Sequence, residues 1–76
     1  IGVEPSQCVA IEDSKSGATA AKNAKIPLIG YVGAYDDKEE IDRMAKMLTE
    51  ECGAIVIMYH WNEFFDCMEK VEQSLA

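Results

Sequence analysis

Glu12 and Asp13 stand side by side at the end of an apolar run, Cys8-Val9-Ala10-Ile11, and Ser14 follows at once. Two adjacent carboxylates in a low-dielectric crevice repel each other unless a cation or a shared proton compensates them. At an oxygen-only site the usual cation is a hard divalent ion such as Mg²⁺. Gly17 then opens an alanine-rich helical pattern that holds Ala18, Ala20, Ala21 and Ala24. A buried strand that delivers acids to its carboxyl end and turns at once into a helix is where open α/β sheets hold ligands. The helix N-terminus also favours anions, either the carboxylates themselves or a phosphate. A plainer account, a solvated turn with a helix cap, competes for the same pair. Ser14 and Ser16 each suit the cap position. Neither has a His or a paired Lys placed to activate it as a nucleophile. Gly17 serves either close packing or the approach of a ligand to the backbone.

Few other residues offer chemistry. His60, the one histidine, sits beside Trp61 at the end of an apolar run, and a structural role is expected for it. Asp36, Asp37, Glu39, Glu40 and Asp42 read as a solvated helix start that suits the macrodipole. They lack the glycine and the terminal bidentate Glu of a calcium loop. Tyr31, Tyr35 and Tyr59 read as edge packing. Cys8, Cys52 and Cys67 are far apart, without a C-x-x-C or a His at ligand spacing. Neither a disulfide framework nor a zinc site is supported, and free thiols in a reducing cytoplasm are expected.

The elements that must position the acid pair can be read in order. Residues 1–7 form a connector in which Gly2 and Pro5 turn the chain toward a strand. Residues 8–12 are apolar on both faces and predict a strand covered by helices. The next helix, about 15–25, places Gly17, Ala20, Ala21 and Ala24 on one stripe, with Lys15 and Lys22 facing solvent. Ile26-Pro27 breaks it, and residues 28–32 predict a second buried strand. Gly33, Ala34 and Tyr35 form the loop at its end. Asp36, with Glu39 three residues on, predicts a capping box for a helix whose apolar stripe is Ile41, Met44, Ala45 and Leu48. Glu39 with Arg43 and Asp42 with Lys46 make outer i, i+4 pairs. Cys52-Gly53 ends that helix, and residues 54–59 form a third strand. Asn62 caps a last helix with Phe64, Met68, Val71 and Leu75 as its stripe. The order βαβαβα implies parallel strands with right-handed crossovers, an α/β, Rossmann-like, three-layer arrangement.

Size and charge set limits. Seventy-six residues make one small domain, which buries about 60% of its unfolded surface and is marginal. The net charge of −7 lies wholly after Gly33, where eleven acids face four bases. With no basic stripe, the chain is a poor partner for nucleic acid or an anionic membrane. No apolar run is long enough to span a bilayer, and these residues hold no basic-then-apolar stretch of the signal-peptide kind.

The run Cys8-Val9-Ala10-Ile11-Glu12-Asp13-Ser14-x-x-Gly17-x-x-Ala20-Ala21 resembles the last conserved motif of the haloacid dehalogenase-like hydrolases. The similarity is to the branch with β-phosphoglucomutase and phosphoglycolate-type phosphatases. The lead-in Gly2-Val3-Glu4-Pro5-x-x-Cys8 and the segment Ile26-x-Leu28-Ile29-Gly30 match that branch too. The resemblance covers most of the chain, strongly over residues 1–33 and loosely beyond. It implies that Asp13 binds a catalytic Mg²⁺ and that Glu12 binds it directly or supports it. Ser14 would help to hold the polar network, with Gly17 beside it. The implied activity is phosphoryl transfer on a small phosphorylated metabolite through an aspartyl-phosphate, as in a phosphatase or a phosphomutase.

Two departures stand out. Lys25 occupies a helix-end position where the family commonly has Gly; if positive φ is needed there, lysine costs roughly 1 kcal/mol, and the alternative is a turn of different build. The family's Asp-x-Asp loop, its Ser/Thr and its Lys, all upstream of this motif, have no counterpart in these residues. Residues 1–76 are therefore expected to be the carboxyl-terminal half of a core sheet, inactive alone. They would depend on the missing amino-terminal half or self-associate through the 8–12 strand edge. The alternatives are a non-catalytic interaction module that keeps half of the fold, or a receiver-like signalling domain. The receiver is disfavoured because the third strand ends in Tyr59-His60 rather than an Asp.

Overall fold

A computed structural model describes residues 8–75 of the chain. The connector expected over residues 1–7, including Gly2 and Pro5, lies outside the described residues. Seven elements follow in order: β1 (Ala10–Glu12), α1 (Lys15–Asn23), β2 (Leu28–Tyr31), α2 (Lys38–Glu50), β3 (Val56–Met58), a single 3₁₀ turn (Trp61–Glu63) and α3 (Phe64–Leu75). The strands form one parallel sheet in the order β1-β2-β3, with Ala10 opposite Leu28 and Ile29 opposite Val56. This is the expected βαβαβα arrangement. The strands are shorter than the apolar runs predict because those runs also supply residues that enter or leave each strand. Ala54, for instance, is buried but outside β3, and its N–H bonds back to the Leu48 carbonyl at 2.9 Å.

Two cores lie on the two faces of the sheet, which makes three layers. On one face Ala18 and Ala21 of α1 and Leu48 of α2 close over Leu28 and Val32, with Ala10, Ile41, Met44 and Ala45 packed around them. On the other, Cys67 and Val71 of α3 close over Ile29 and Met58, with Val9, Ile11, Phe64 and Met68 alongside. Strand side chains alternate between faces, so β2 feeds both cores from consecutive residues. Gly30 of β2 lets the first layer close: a Cβ there would sit 2.8 Å from Ile57 Cδ1 and 3.1 Å from Leu48 Cβ.

Several expected details are corrected. The small-residue stripe of α1 is rotated, so that Ala18 and Ala21 are buried while Ala20 and Ala24 are exposed. The cause is the neighbour α2. Thr19 Oγ1 lies 3.7 Å from Cys52 Sγ, and Lys22 Nζ donates to the Glu51 carbonyl at 3.0 Å. At 3.6 residues per turn, this puts Gly17, Ala20 and Ala24 on the flank away from α2. The capping box at Asp36 also shifts. Asp37 is the N-cap of α2 and its side chain makes no capping bond, as suits an exposed helix start whose free N–H groups reach water. The Glu39–Arg43 and Asp42–Lys46 pairs do not close; the ion pair among the described residues is Lys15–Glu51, 3.2 Å and solvent-exposed. Exposed pairs of this kind are worth little.

The last helix starts differently too. His60, not Asn62, caps the 3₁₀ turn, with Nδ1 accepting the Asn62 N–H at 3.1 Å. Glu63 reaches back to accept the Tyr59 N–H at 2.9 Å. The expected stripe of α3 is joined by buried Cys67, and the side chain of its fourth member, Leu75, lies outside the described residues.

Candidate functional site

The pleat decides where the two acids go. Ala10 faces the α1/α2 layer and Ile11 the α3 layer, so Glu12 returns to the α1 side. There its carboxylate lies against the first turn of α1, at Gly17. A Cβ at Gly17 would sit 2.7 Å from Glu12 Cδ and 3.4 Å from Cγ, and closer still to Oε1. Only a glycine leaves that space. Gly17 is therefore a residue of close approach, and what approaches is the first acid of the pair.

Asp13 follows in the turn and is exposed. Ser14 then takes extended backbone at φ −124° and ψ 156°, and its Oγ accepts the Gly17 N–H at 3.3 Å. The Ala18 N–H bonds to the Ser14 carbonyl at 3.0 Å, so the first helical bond closes over the same turn. Ser14 is thus the N-cap of α1; Ser16 is exposed within the helix. Lys15 reaches Glu51 rather than the acid pair, so no lysine among the described residues neutralises the carboxylates.

A residue read only as packing completes the turn. The Tyr35 hydroxyl donates to the Asp13 backbone carbonyl at 2.7 Å, tying the β1–α1 turn to the loop after β2. Burial pushes the Tyr35 phenol above its ordinary value, and the charges of Asp13 and Glu40 push it further in the same direction. The hydroxyl therefore keeps its proton and stays a donor. The signal for this role was the short β2–α2 loop, which brings Tyr35 to the carboxyl edge of the sheet; its partner was not legible without the fold.

On the α3 face, the same carboxyl edge of the sheet is aromatic. Tyr31 packs on Trp61 with ring centroids 4.9 Å apart, and Trp61 on Phe64 at 6.4 Å. Tyr59, Trp61 and Phe65 are 51%, 53% and 82% exposed. His60 is occupied as a cap, in line with the structural role expected for it.

Carboxylate oxygens are the right donor type for Mg²⁺, which takes six oxygens and keeps several waters. Glu12 and Asp13 supply two such groups. Among the described residues no set of three or more His, Cys, Asp or Glu side chains converges on a metal position, and there is no pocket. The donor type fits such an ion, but the two carboxylates alone are fewer than the oxygens it takes. Comparison of the chain with protein-family models, with curated proteins and with solved structures finds no match.

Proposed function

We propose that this chain is the carboxyl-terminal part of a Mg²⁺-dependent phosphoryl-transfer enzyme of the haloacid dehalogenase-like kind, a phosphatase or phosphomutase acting on a small phosphorylated metabolite. Asp13 is the metal ligand, Glu12 its neighbour in or next to the coordination sphere, and Ser14 and Gly17 shape the turn that carries them. The observation that carries the proposal is the position of Glu12-Asp13. Glu12 ends β1 of a parallel sheet against the N-terminal turn of α1, and Asp13 follows in the connecting turn, in a run that resembles the family's last motif. When bound, the ion neutralises phosphoryl charge. The chain's own part is to hold carboxylate oxygens in fixed places for that ion, the electrostatic share of the reaction.

Two acids without a nucleophile do not make a turnover site, so the nucleophile comes from the amino-terminal half of the sheet, added at the edge of β1; a second copy at that edge would cover the strand without supplying one. Cys52 and Cys67 are buried free thiols. Such thiols suit a reducing compartment, and the enzyme is assigned to the cytoplasm. Among the described residues no helix is long and apolar enough to cross a membrane.

The test uses the longer protein encoded with its upstream sequence. Mg²⁺-dependent hydrolysis of a simple phosphomonoester is expected, with Asp13→Asn lowering kcat about a hundredfold or more. The 76-residue chain alone is expected to show no turnover. Wild-type rates from Asp13→Asn, or phosphatase activity from the short chain, overturn the proposal. A second reading, a non-catalytic interaction module, rests on the exposed Trp61 and Phe65. An inactive longer protein that binds a macromolecular partner through this aromatic edge would favour it.

A further inference from the structure

We infer that Gly17 is a positioning residue for the acid pair: its missing side chain is the seat that holds the Glu12 carboxylate over the first turn of α1. The inference rests on the metal-binding reading of Glu12-Asp13 and adds the residue that sets where one of the two carboxylates lies.

Three observations combine. The pleat of β1 sends the Glu12 side chain to the α1 face, so it must meet that helix. A Cβ at Gly17 would collide with Glu12 Cδ at 2.7 Å and more severely with Oε1. No hydrogen bond or ion pair among the described residues holds the Glu12 carboxylate, so space rather than bonding sets its place. Ser14 completes the seat from below, because its Oγ takes the Gly17 N–H at 3.3 Å and fixes the turn. The carboxylate is thereby held by its contact with Gly17 and without a hydrogen-bond partner of its own among the described residues.

A methyl group at Gly17 would meet the far end of a flexible side chain and not a backbone atom. The fold can therefore accept Gly17→Ala by swinging Glu12 aside, and alanine is also the better helix former. This separates a positioning role from a structural one. A residue needed for folding would lower the melting temperature on substitution; a positioning residue leaves it unchanged or raised and moves the carboxylate.

The experiment follows the 76-residue chain by NMR and by Mn²⁺ titration, comparing wild type, Gly17→Ala, Glu12→Gln and the double variant. Gly17→Ala is expected to keep the melting temperature, to shift the Glu12 side-chain carboxyl resonance and to lose the contact between Glu12 Hγ and residue 17. Mn²⁺ affinity is expected to fall about 10–100-fold. In the Glu12→Gln background the same substitution is expected to change affinity no further. Unmoved Glu12 resonances in Gly17→Ala, or a drop in melting temperature with Mn²⁺ affinity intact, overturn the inference. Absence of Mn²⁺ binding by the wild type counts instead against the metal reading of the pair. The Glu12 resonances then still decide whether Gly17 seats the carboxylate.

Discussion

Lys25 has φ 60°, the one non-glycine residue with positive φ among those described. It ends α1 in a Schellman arrangement: its N–H bonds to the Lys22 carbonyl and the Ile26 N–H to the Ala21 carbonyl, each at 3.0 Å. Ile26 then packs with Ala21 into the same core. The turn is therefore the one glycine favours, built with lysine at about 1–2 kcal/mol of backbone strain. It is not a turn of a different kind, so the expected departure is one of residue and not of geometry. Glycine would remove the strain but give the unfolded chain more freedom, offsetting about 0.5–1 kcal/mol. Lys25→Gly is expected to be more stable by about 0.5–1 kcal/mol in urea unfolding. Lys25→Ala, which keeps a Cβ in the same conformation, is expected to be nearly neutral. Equal gains from both would show that the left-handed backbone is not the source.

At the scale of elements, β1 is one of the two edges of the sheet, with β3 the other. β1 pairs with β2 on one side, and among the described residues no strand pairs with its other edge. The Ala10 N–H is spent on the Pro27 carbonyl at 2.8 Å, so by alternation the Ile11 N–H and C=O face the open side. The flank of α1 above that side carries Gly17, Ala20 and Ala24, small residues that permit close approach. An apolar strand with a free edge is a template for another chain. The isolated chain is accordingly expected to self-associate through β1, with sedimentation at dilute concentration showing a species larger than monomer. A well-folded, stable monomer under the same conditions rules this out.

For the molecule as a whole, a small core makes the pH dependence of stability visible. Burial pushes the Cys67 thiol above its ordinary value, and Glu63 and Asp66 add to that shift while Lys70 opposes it. Below the thiol's ordinary pKa of about 8.5, both folded and unfolded chains hold the proton and stability is unaffected. Above it, the unfolded chain releases the proton first, so stability falls as pH rises until the folded thiol also ionises. The Tyr35 phenol has the same sign and acts at higher pH. The urea midpoint is expected to fall between about pH 8 and 10. Cys67→Ala, less stable at neutral pH because of its cavity, is expected to show a smaller slope over that window. An unchanged slope in Cys67→Ala would assign the effect elsewhere.

Local patterns determined much of this protein. Apolar runs bounded by Gly and Pro placed three strands, and the Ile41-Met44-Ala45-Leu48 stripe placed α2 against the core, because burial needs the matching period. The acid pair at a strand end was legible for the same reason. What the sequence could not carry was any choice between neighbours. Helical spacing allowed several faces of α1, and only contact with α2 selected Ala18 and Ala21 for burial over Ala20 and Ala24. Caps at exposed helix starts compete within tenths of a kcal/mol to about 1 kcal/mol, so His60 and Asp37 took places that Asn62 and Asp36 could have held. Gly17 was open to two readings until the pleat of β1 put Glu12 against it. Tyr35 acquired its role only when two loops met at one edge of the sheet. Periodicity is a property of the chain, whereas a seat, a clamp and an open edge are relations between parts that only the folded structure brings together.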